Sequence, residues 1–448
     1  MGNLVNKSDK FLSWGRVHRY THNIIEPKGP QENFFSDIDC QWVLPYGMGR
    51  SYGDLCLNEN NTLLWTRNLS HFIAFDIETS ILEVEAGVCF SDIIKFFLPR
   101  GYFLPVTPGT QFVTVGGAIA SDVHGKNHHV DGTFGSHVLE IKLLRSDGKI
   151  YECTAVKNSD LYRATIGGMG LTGLILSAKF KLKKNVGPFI YQETIPFQNL
   201  EEFLLMSREY SHKTYSVGWF DSLSSGQQLG RGLLMLGEHT SPVDNENEFI
   251  NSSKTNNILE VISESPNLLN KYTVKAFNSV YYRKTFLKKK NEIVSYRSFF
   301  YPLDAFSAWN KLYGKKGFYQ YQCTLPLDIT STKHTSVHDL LRTIQKSQIG
   351  SFLAVIKSFG EVSSPGLMSY PSMGVTVALD FPNLGIPVNK LFKELNKIVS
   401  SNGGKLYPAK DAHMTGEEFR KFYPNFEKFY SLRDPKFSSN FIRRMENS

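Results

Sequence analysis

Residues 105–137 read PVTPGTQFVTVGGAIASDVHGKNHHVDGTFGSH, a stretch dense in glycine, threonine, serine and histidine. Small residues at this density make loops and tight turns whose backbone can approach a second group closely, because glycine tolerates contacts that a Cβ forbids. The flanks are regular. On the N-terminal side Ile81–Ala86 (ILEVEA) alternates apolar and acidic residues, the period of a half-buried strand. A helix is expected next, with Ser91 and Asp92 available as caps, Ile93, Ile94, Phe96 and Phe97 as its apolar face, and Pro99 with Gly101 ending it. On the C-terminal side Leu139–Leu144 (LEIKLL) and Lys149–Cys153 read as strands joined by the turn Ser146-Asp147-Gly148.

Two further glycine runs invite a phosphate. Gly168-Met169-Gly170-Leu171-Thr172-Gly173 fits G-x-G-x-x-G, which cradles a pyrophosphate only where it follows a strand and opens a helix. Here LILSAKFKLKK follows, with the alternation of a strand, so a dinucleotide-binding helix is not expected. Gly47-Met48-Gly49-Arg50-Ser51-Tyr52-Gly53-Asp54 follows the apolar segment WVLPYG and can gather backbone N–H groups into an anion nest, with the Ser51 hydroxyl beside them. Gly116, Gly117 and Ser121 offer a second small-residue loop of the same kind. Together the two loops could hold the ends of one extended diphosphate cofactor. His124, His128 and His129 crowd into DVHGKNHH. Gly125 and Asn127 oppose the stable helix that an H-x-x-x-H metal pair needs, and no cysteine is near, so no metal is expected; composition does not separate a functional loop from a plain polar one.

The 448 residues exceed the size at which one core stops growing, and two lobes are expected. With 41% hydrophobic and 21% charged residues the chain is globular, neither disordered nor fibrous. Its net charge of +8 suits an anionic ligand, an anionic membrane surface or nucleic acid, and does not choose among them. Five scattered cysteines without a C-x-x-C pair fit reduced thiols in the cytoplasm. Residues 1–16 lack the apolar run of a secretory signal, Asn6 breaks a myristoylation motif at Gly2, and no stretch is apolar enough to span a bilayer. Any membrane contact is expected to be peripheral, on the inner face of the plasma membrane. Around Asn185–Pro188 the texture changes to amphipathic stretches alternating with aromatic strands such as YSVGWF and GFYQYQCTLP, the sign of a second domain. Asp244–Asn257 reads as a surface loop.

Taken together, GMGRSYGD, PVTPGTQFVTVGGAIASDVHGKNHH, GGMGLTG and the C-terminal GGKLYPAKD resemble the bacterial decaprenylphosphoryl-ribose oxidases. These belong to the vanillyl-alcohol oxidase superfamily of FAD enzymes, which also holds aldonolactone and alditol oxidases. The likeness runs from about Trp14 to the last residues, with AFNSVYYRK and QYQCTLP between. It implies an α+β fold, a two-lobed PCMH-type FAD-binding domain at 10–185, an antiparallel-sheet substrate domain inserted at 186–402, and a segment from 403 to 448 that returns to the active site. It implies that Gly49, Arg50, Ser51, Tyr52 and Gly53 wrap the cofactor, and that Gly116, Gly117, Ser121, Gly125, Asn127 and His128 follow it along the second loop. His124 and Lys410 would face the substrate beside the flavin, with Tyr407, Gln320, Gln322 and Lys357 lining the pocket.

The residue types suit that chemistry. Taking a hydride from a carbinol requires its proton to leave too, a task for a neutral imidazole such as His124 or a water it orients. A fixed cation such as Lys410 would stabilise negative charge on the flavin or the alkoxide. The expected reaction is oxidation of a secondary hydroxyl of a polyprenylphosphoryl-linked pentose to a ketone, in cell wall biosynthesis, with a separate NAD(P)H-dependent reductase completing an epimerisation; the alternative is a soluble aldonolactone or alditol oxidase that uses oxygen. Nucleic acid is not an expected partner. Ala378 in VALDFP stands where actinobacterial members carry a cysteine facing the flavin, and its loss is expected to leave catalysis intact. Tyr52 stands where covalent relatives carry a histidine tether, so FAD is expected to be non-covalent. Lys288, Lys289 and Lys290 after VYYRKTFL could meet an anionic leaflet.

Overall fold

In the computed structural model, which describes residues 10–29, 41–241, 259–260, 270–284, 291–327, 335–351 and 353–447, the alternating segments pair into three main sheets. The expected surface loop at 244–257, the lysines 288–290 and the N-terminal Gly2 and Asn6 lie outside the described residues.

The first sheet is small and parallel: Thr62–Trp65 lies between Asn23–Ile25 and Val43–Tyr46. Its runs TLLW and VLPY are buried almost throughout, as parallel strands covered on both faces must be. The second is a five-stranded antiparallel sheet in the order Phe72–Asp76, Ile81–Glu85, Leu174–Lys181, Val138–Leu144, Ile150–Thr154. Leu174–Lys181 is its middle strand, so the glycine triplet at 168–173 opens a strand and no dinucleotide helix exists there. The expected helix spans Phe90–Phe97, and its cap differs from expectation. Cys89, held extended by a bridge to Thr114, is the N-cap, and Asp92 sits three residues on, where its carboxylate accepts from the Cys89 N–H at 3.3 Å.

Beyond Lys184 the chain enters an eight-stranded antiparallel sheet, ordered Asn291–Ser295, Phe189–Phe197, Gly232–His239, Tyr215–Phe220, Ala354–Phe359, Gly374–Pro382, Phe318–Leu325, Lys405–Leu406. Its period of two divides its work. Leu234, Ile356, Val377, Leu379, Tyr321 and Cys323 face the helices Leu200–Glu209, Thr335–Ser347 and Ile386–Ser401 and form one core with them. The alternate residues Val217, Trp219, Met235, Val355, Lys357, Ala378, Gln320 and Gln322 point the other way, into a cavity. The segment from 403 first adds Lys405–Leu406 to the edge of this sheet, with Leu406 buried, and only then crosses back. There Ala409 O accepts from Tyr52 N at 2.9 Å, and Phe437 bridges to Val43. Among the described residues no helix is long and apolar enough to cross a membrane.

Candidate active site

A cavity of about 620 Å³ lies where the glycine loops, the inner face of the eight-stranded sheet and the returning C-terminal segment meet. Gly49, Arg50, Ser51, Tyr52, Gly116, Gly117, Ser121, His124, Gly125, Gln320, Gln322, Lys357, Tyr407 and Lys410 all line it. Residues spread over more than 360 positions of sequence are brought together, which is what one extended ligand requires.

At one end, Gly49 holds φ +61°, and a Cβ there would fall 2.1 Å from the Tyr46 hydroxyl, so only glycine fits. The N–H groups of Gly49, Arg50 and Ser51 find no acceptor among the described residues, although the loop lines the cavity. Unsatisfied amides of this kind fit a pyrophosphate. The Arg50 guanidinium lies 4.0 Å over the Trp14 ring, and its Nε donates to Phe112 O at 3.1 Å. Gly53 does not reach the cavity; a Cβ on it would lie 1.9 Å from Asp411 O, so its smallness serves the return of the C-terminal segment.

The second loop is not a nest. Gly116 and Gly117 belong to a short helix, Val115–Ala120, and their amides are already used: Gly116 N donates to Ala86 O at 2.8 Å and Gly117 N to Thr114 Oγ1 at 3.2 Å. Their role is space. A Cβ on Gly117 would meet only Thr114 Oγ1 within 4 Å, and the room beyond it belongs to the cavity. Asn127 and His128 also stand back from the wall. Asn127 donates to Pro105 O at 2.8 Å and Asp131 Oδ2 at 2.6 Å, bracing the loop, and the His128 ring packs 4.3 Å from Phe359. Burial, helped by Lys357, pushes His128 down to about 3, so it is neutral. His129 turns elsewhere, to Lys213 O at 2.8 Å.

His124 is the centre of the polar end. Gln322 Nε2 lies 2.9 Å from its Nε2 and Lys357 Nζ 3.1 Å from its Nδ1. A neutral imidazole carries one N–H, so it cannot accept on both nitrogens. Gln322 also donates to Thr376 Oγ1 at 3.3 Å, and the arrangement that keeps both of its donations has Nδ1–H giving to an uncharged Lys357. The surroundings favour that state: burial, with the charges of Lys126 and Lys410, lowers Lys357 to about 7. Burial first, then Lys357, holds His124 well below its ordinary value. The Tyr407 hydroxyl donates to Ser121 O at 2.8 Å and its ring stacks on Tyr370, fixing the wall beside His124.

Lys410 lines the same cavity, its ammonium 3.8 Å above the Tyr52 ring. Burial lowers Lys410 and raises Asp380, and each charge partly counters the other's shift. Gln320 Nε2 donates to Asp380 Oδ1 at 2.6 Å and lies 3.4 Å from the Tyr52 hydroxyl. Sequence reasoning missed Asp380, although the signal was present: it follows Ala378 by two in VALDFP and so shares its face of the strand. It also missed Asp122, whose Oδ2 accepts from Ser364 and Ser369 at 2.5 Å each while Oδ1 takes Gly135 N at 2.9 Å, anchoring the turn that carries His124. Ala378 lines the cavity directly across from Gln322.

Residues 40–154 match the FAD binding domain family. The chain is 32% identical to the decaprenylphosphoryl-beta-D-ribose oxidase of Mycolicibacterium smegmatis over 98% of its own length and 97% of that protein's. An uncharacterized Streptomyces coelicolor protein is 26% identical over 79% of this chain and 98% of its own. The L-gulonolactone oxidase of Mus musculus is 26% identical, over only 37% of this chain and 38% of that enzyme.

Proposed function

The chain belongs to the decaprenylphosphoryl-β-D-ribose oxidase family of FAD-dependent oxidoreductases, and from that premise we propose that it oxidises a secondary hydroxyl of a polyprenylphosphoryl-linked pentose to a ketone. One observation carries the substrate class: a tight polar cluster, His124 with Gln322 and Lys357, shares the cavity with a mostly apolar wall of Val217, Trp219, Met235, Val294 and Val355, which Gln192 and Glu292 interrupt on its two outermost strands. A free sugar would leave that wall wet, whereas a lipid chain would cover it.

Bound FAD supplies the hydride acceptor. Gly49, Arg50 and Ser51 would hold its pyrophosphate, and Tyr52, Gly116, Gly117, Ser121 and Gly125 would line the rest of its site. His124 takes the carbinol proton on Nε2, exchanging the Gln322 amide for the substrate hydroxyl, while Nδ1–H passes toward Lys357. The pair thus gains one proton without leaving an imidazolium beside a charged lysine. Lys410 stabilises the negative charge that develops across the site, and its own charge is held by Asp380. Gln320, Gln322 and Tyr407 position the sugar. The ketone would pass to a separate NAD(P)H-dependent reductase, and a lipid-linked donor would bring the enzyme to a membrane surface, which we read as the inner face of the plasma membrane.

Anaerobic titration of the holoenzyme tests the reading. A polyprenylphosphoryl pentose should bleach the flavin band near ~450 nm, with free aldonolactones and alditols leaving it unchanged. Bleaching by the free compounds alone would replace the reading with an aldonolactone or alditol oxidase.

A further inference from the structure

Lys126 has no part in the proton chemistry above, yet it is enclosed by protein and lines the same cavity. Its main chain is tied to the eight-stranded sheet, where Ser216 N donates to Lys126 O at 2.8 Å. The side chain lies along Phe299, its ammonium 4.2 Å from the ring centroid and donating to the Phe299 carbonyl. An ammonium has three N–H donors, and this contact uses one. Among the described residues no carboxylate lies within ion-pair distance of it, whereas Lys142, Lys179 and Lys183 on the same half of the molecule each have one. An enclosed ammonium with spare donors and no counter-ion is costly, which is why burial lowers Lys126 to about 7, and an anion that arrives with a ligand relieves that cost and favours the charged form.

Its position along the cavity identifies the anion. Lys126 stands two residues after His124, and its sheet contact, Ser216, is next to Val217 at the start of the apolar wall. A ligand with its hydroxyl at His124 and its chain over Val217, Met235 and Val294 would carry its phosphate past this ammonium. Resting on the lipid-linked reading above, we propose that Lys126 is the phosphate-binding residue of the substrate pocket and selects a lipid phosphate ester over a neutral sugar.

The test uses holoenzyme and ligands without a sugar, so that it stands apart from the oxidation itself. Farnesyl phosphate, farnesol and inorganic phosphate are titrated against the flavin absorbance and fluorescence. Wild type should bind farnesyl phosphate about tenfold or more tightly than farnesol, the range of a charge-assisted hydrogen bond, and inorganic phosphate only weakly. Lys126→Met should lose that preference while binding farnesol as before, and Lys126→Arg should keep most of it. Unchanged farnesol binding and FAD content show that the Met variant is folded. If Lys126→Met binds farnesyl phosphate as wild type does, or if wild type does not distinguish the ester from the alcohol, the assignment is overturned. If inorganic phosphate binds as tightly as the ester, Lys126 reads a free anion and the lipid selection is overturned. Flavin bleaching by free sugars alone would instead sink the lipid-linked reading, a separate measurement.

Discussion

His124 shows how a residue's chemistry is set by what its neighbours can donate. The uncharged Lys357 that satisfies both ring nitrogens exists above its lowered value of about 7, since a lysine is neutral on the alkaline side of its pKa. The rate of flavin reduction by substrate should therefore rise as pH increases through about 7 and level off above, and Lys357→Met should remove that ionisation. A wild-type profile flat between about pH 6 and 8 would remove Lys357 from the proton path. His124→Ala and Lys410→Ala should each keep FAD, because neither supplies the amides at Gly49–Ser51, and each should slow flavin reduction by about 10²–10⁴-fold in stopped flow. Either variant reducing at the wild-type rate refutes its role. FAD should be non-covalent: Tyr52 stands at the tether position, burial pushes the cavity-lining Cys56 thiol up to about 12 and so keeps it from being a thiolate, and His128 is off the wall. Acid precipitation should leave all flavin in the supernatant, and fluorescence on the denatured band would reopen Cys56 and His124. The resemblance of four motifs in order pointed to these residues; by composition alone the histidine loop reads equally as a plain polar loop, and a lysine followed by an aspartate reads as a surface ion pair. Lys126 escaped because its meaning lies in what is missing around it, which no spacing records, whereas Asp380 was within reach through its place two residues after Ala378.

At the scale of elements, strands were legible and junctions were not. ILEVEA and LILSAKFK alternate and form strands, since a sheet with one face covered imposes that period. The helix at Phe90 started earlier than Ser91 and Asp92 suggested because a distant partner, Thr114, fixes Cys89 in the extended state. Gly116 and Gly117 read as a loop and form a helical turn, since Thr114 caps it and the neighbouring Ala86 leaves no room for larger residues. The C-terminal helix Asn440–Glu446 carries a junction that sequence could not show. Arg444 donates to both oxygens of Asp54, at 2.9 and 2.8 Å, and to Asp411 Oδ2 at 3.0 Å. It thus joins the loop of Arg50 and Tyr52 to the one bearing Lys410. Arg444→Met would leave Asp54 without its charged partner and Asp411 with only the N–H groups of His413 and Met414, at a cost of about 3–5 kcal/mol. Thermal unfolding should show a clearly lowered Tm and gel filtration a loss of FAD. An unchanged Tm with full flavin content would show that the helix is held by Phe441, Ile442 and Met445 alone.

For the molecule as a whole, the cavity is a joint. Its walls come from Trp14 near the start, from both antiparallel sheets and from Lys410 near the end, so a ligand filling it would join distant parts of the chain. The apolar packing is shared in the same way. Leu44 and Leu63 of the parallel sheet lie in one core with Val377 of the eight-stranded sheet and Phe441 of the last helix. A boundary drawn near residue 186 therefore divides the sheets without dividing the core, and the two lobes should not unfold separately. A ligand that binds only the folded state stabilises it by RT ln(1 + [L]/Kd), about 2.7 kcal/mol at a hundredfold excess over Kd. Protein stripped of FAD should accordingly melt several degrees below the holoenzyme, and added FAD should move its whole transition upward as a single step with rising concentration. Two steps, of which FAD shifts one, would show that the lobes are independent and that the shared core contributes little. A melt indifferent to FAD would place the cofactor outside this cavity, against the unsatisfied amides at Gly49–Ser51 that point to it.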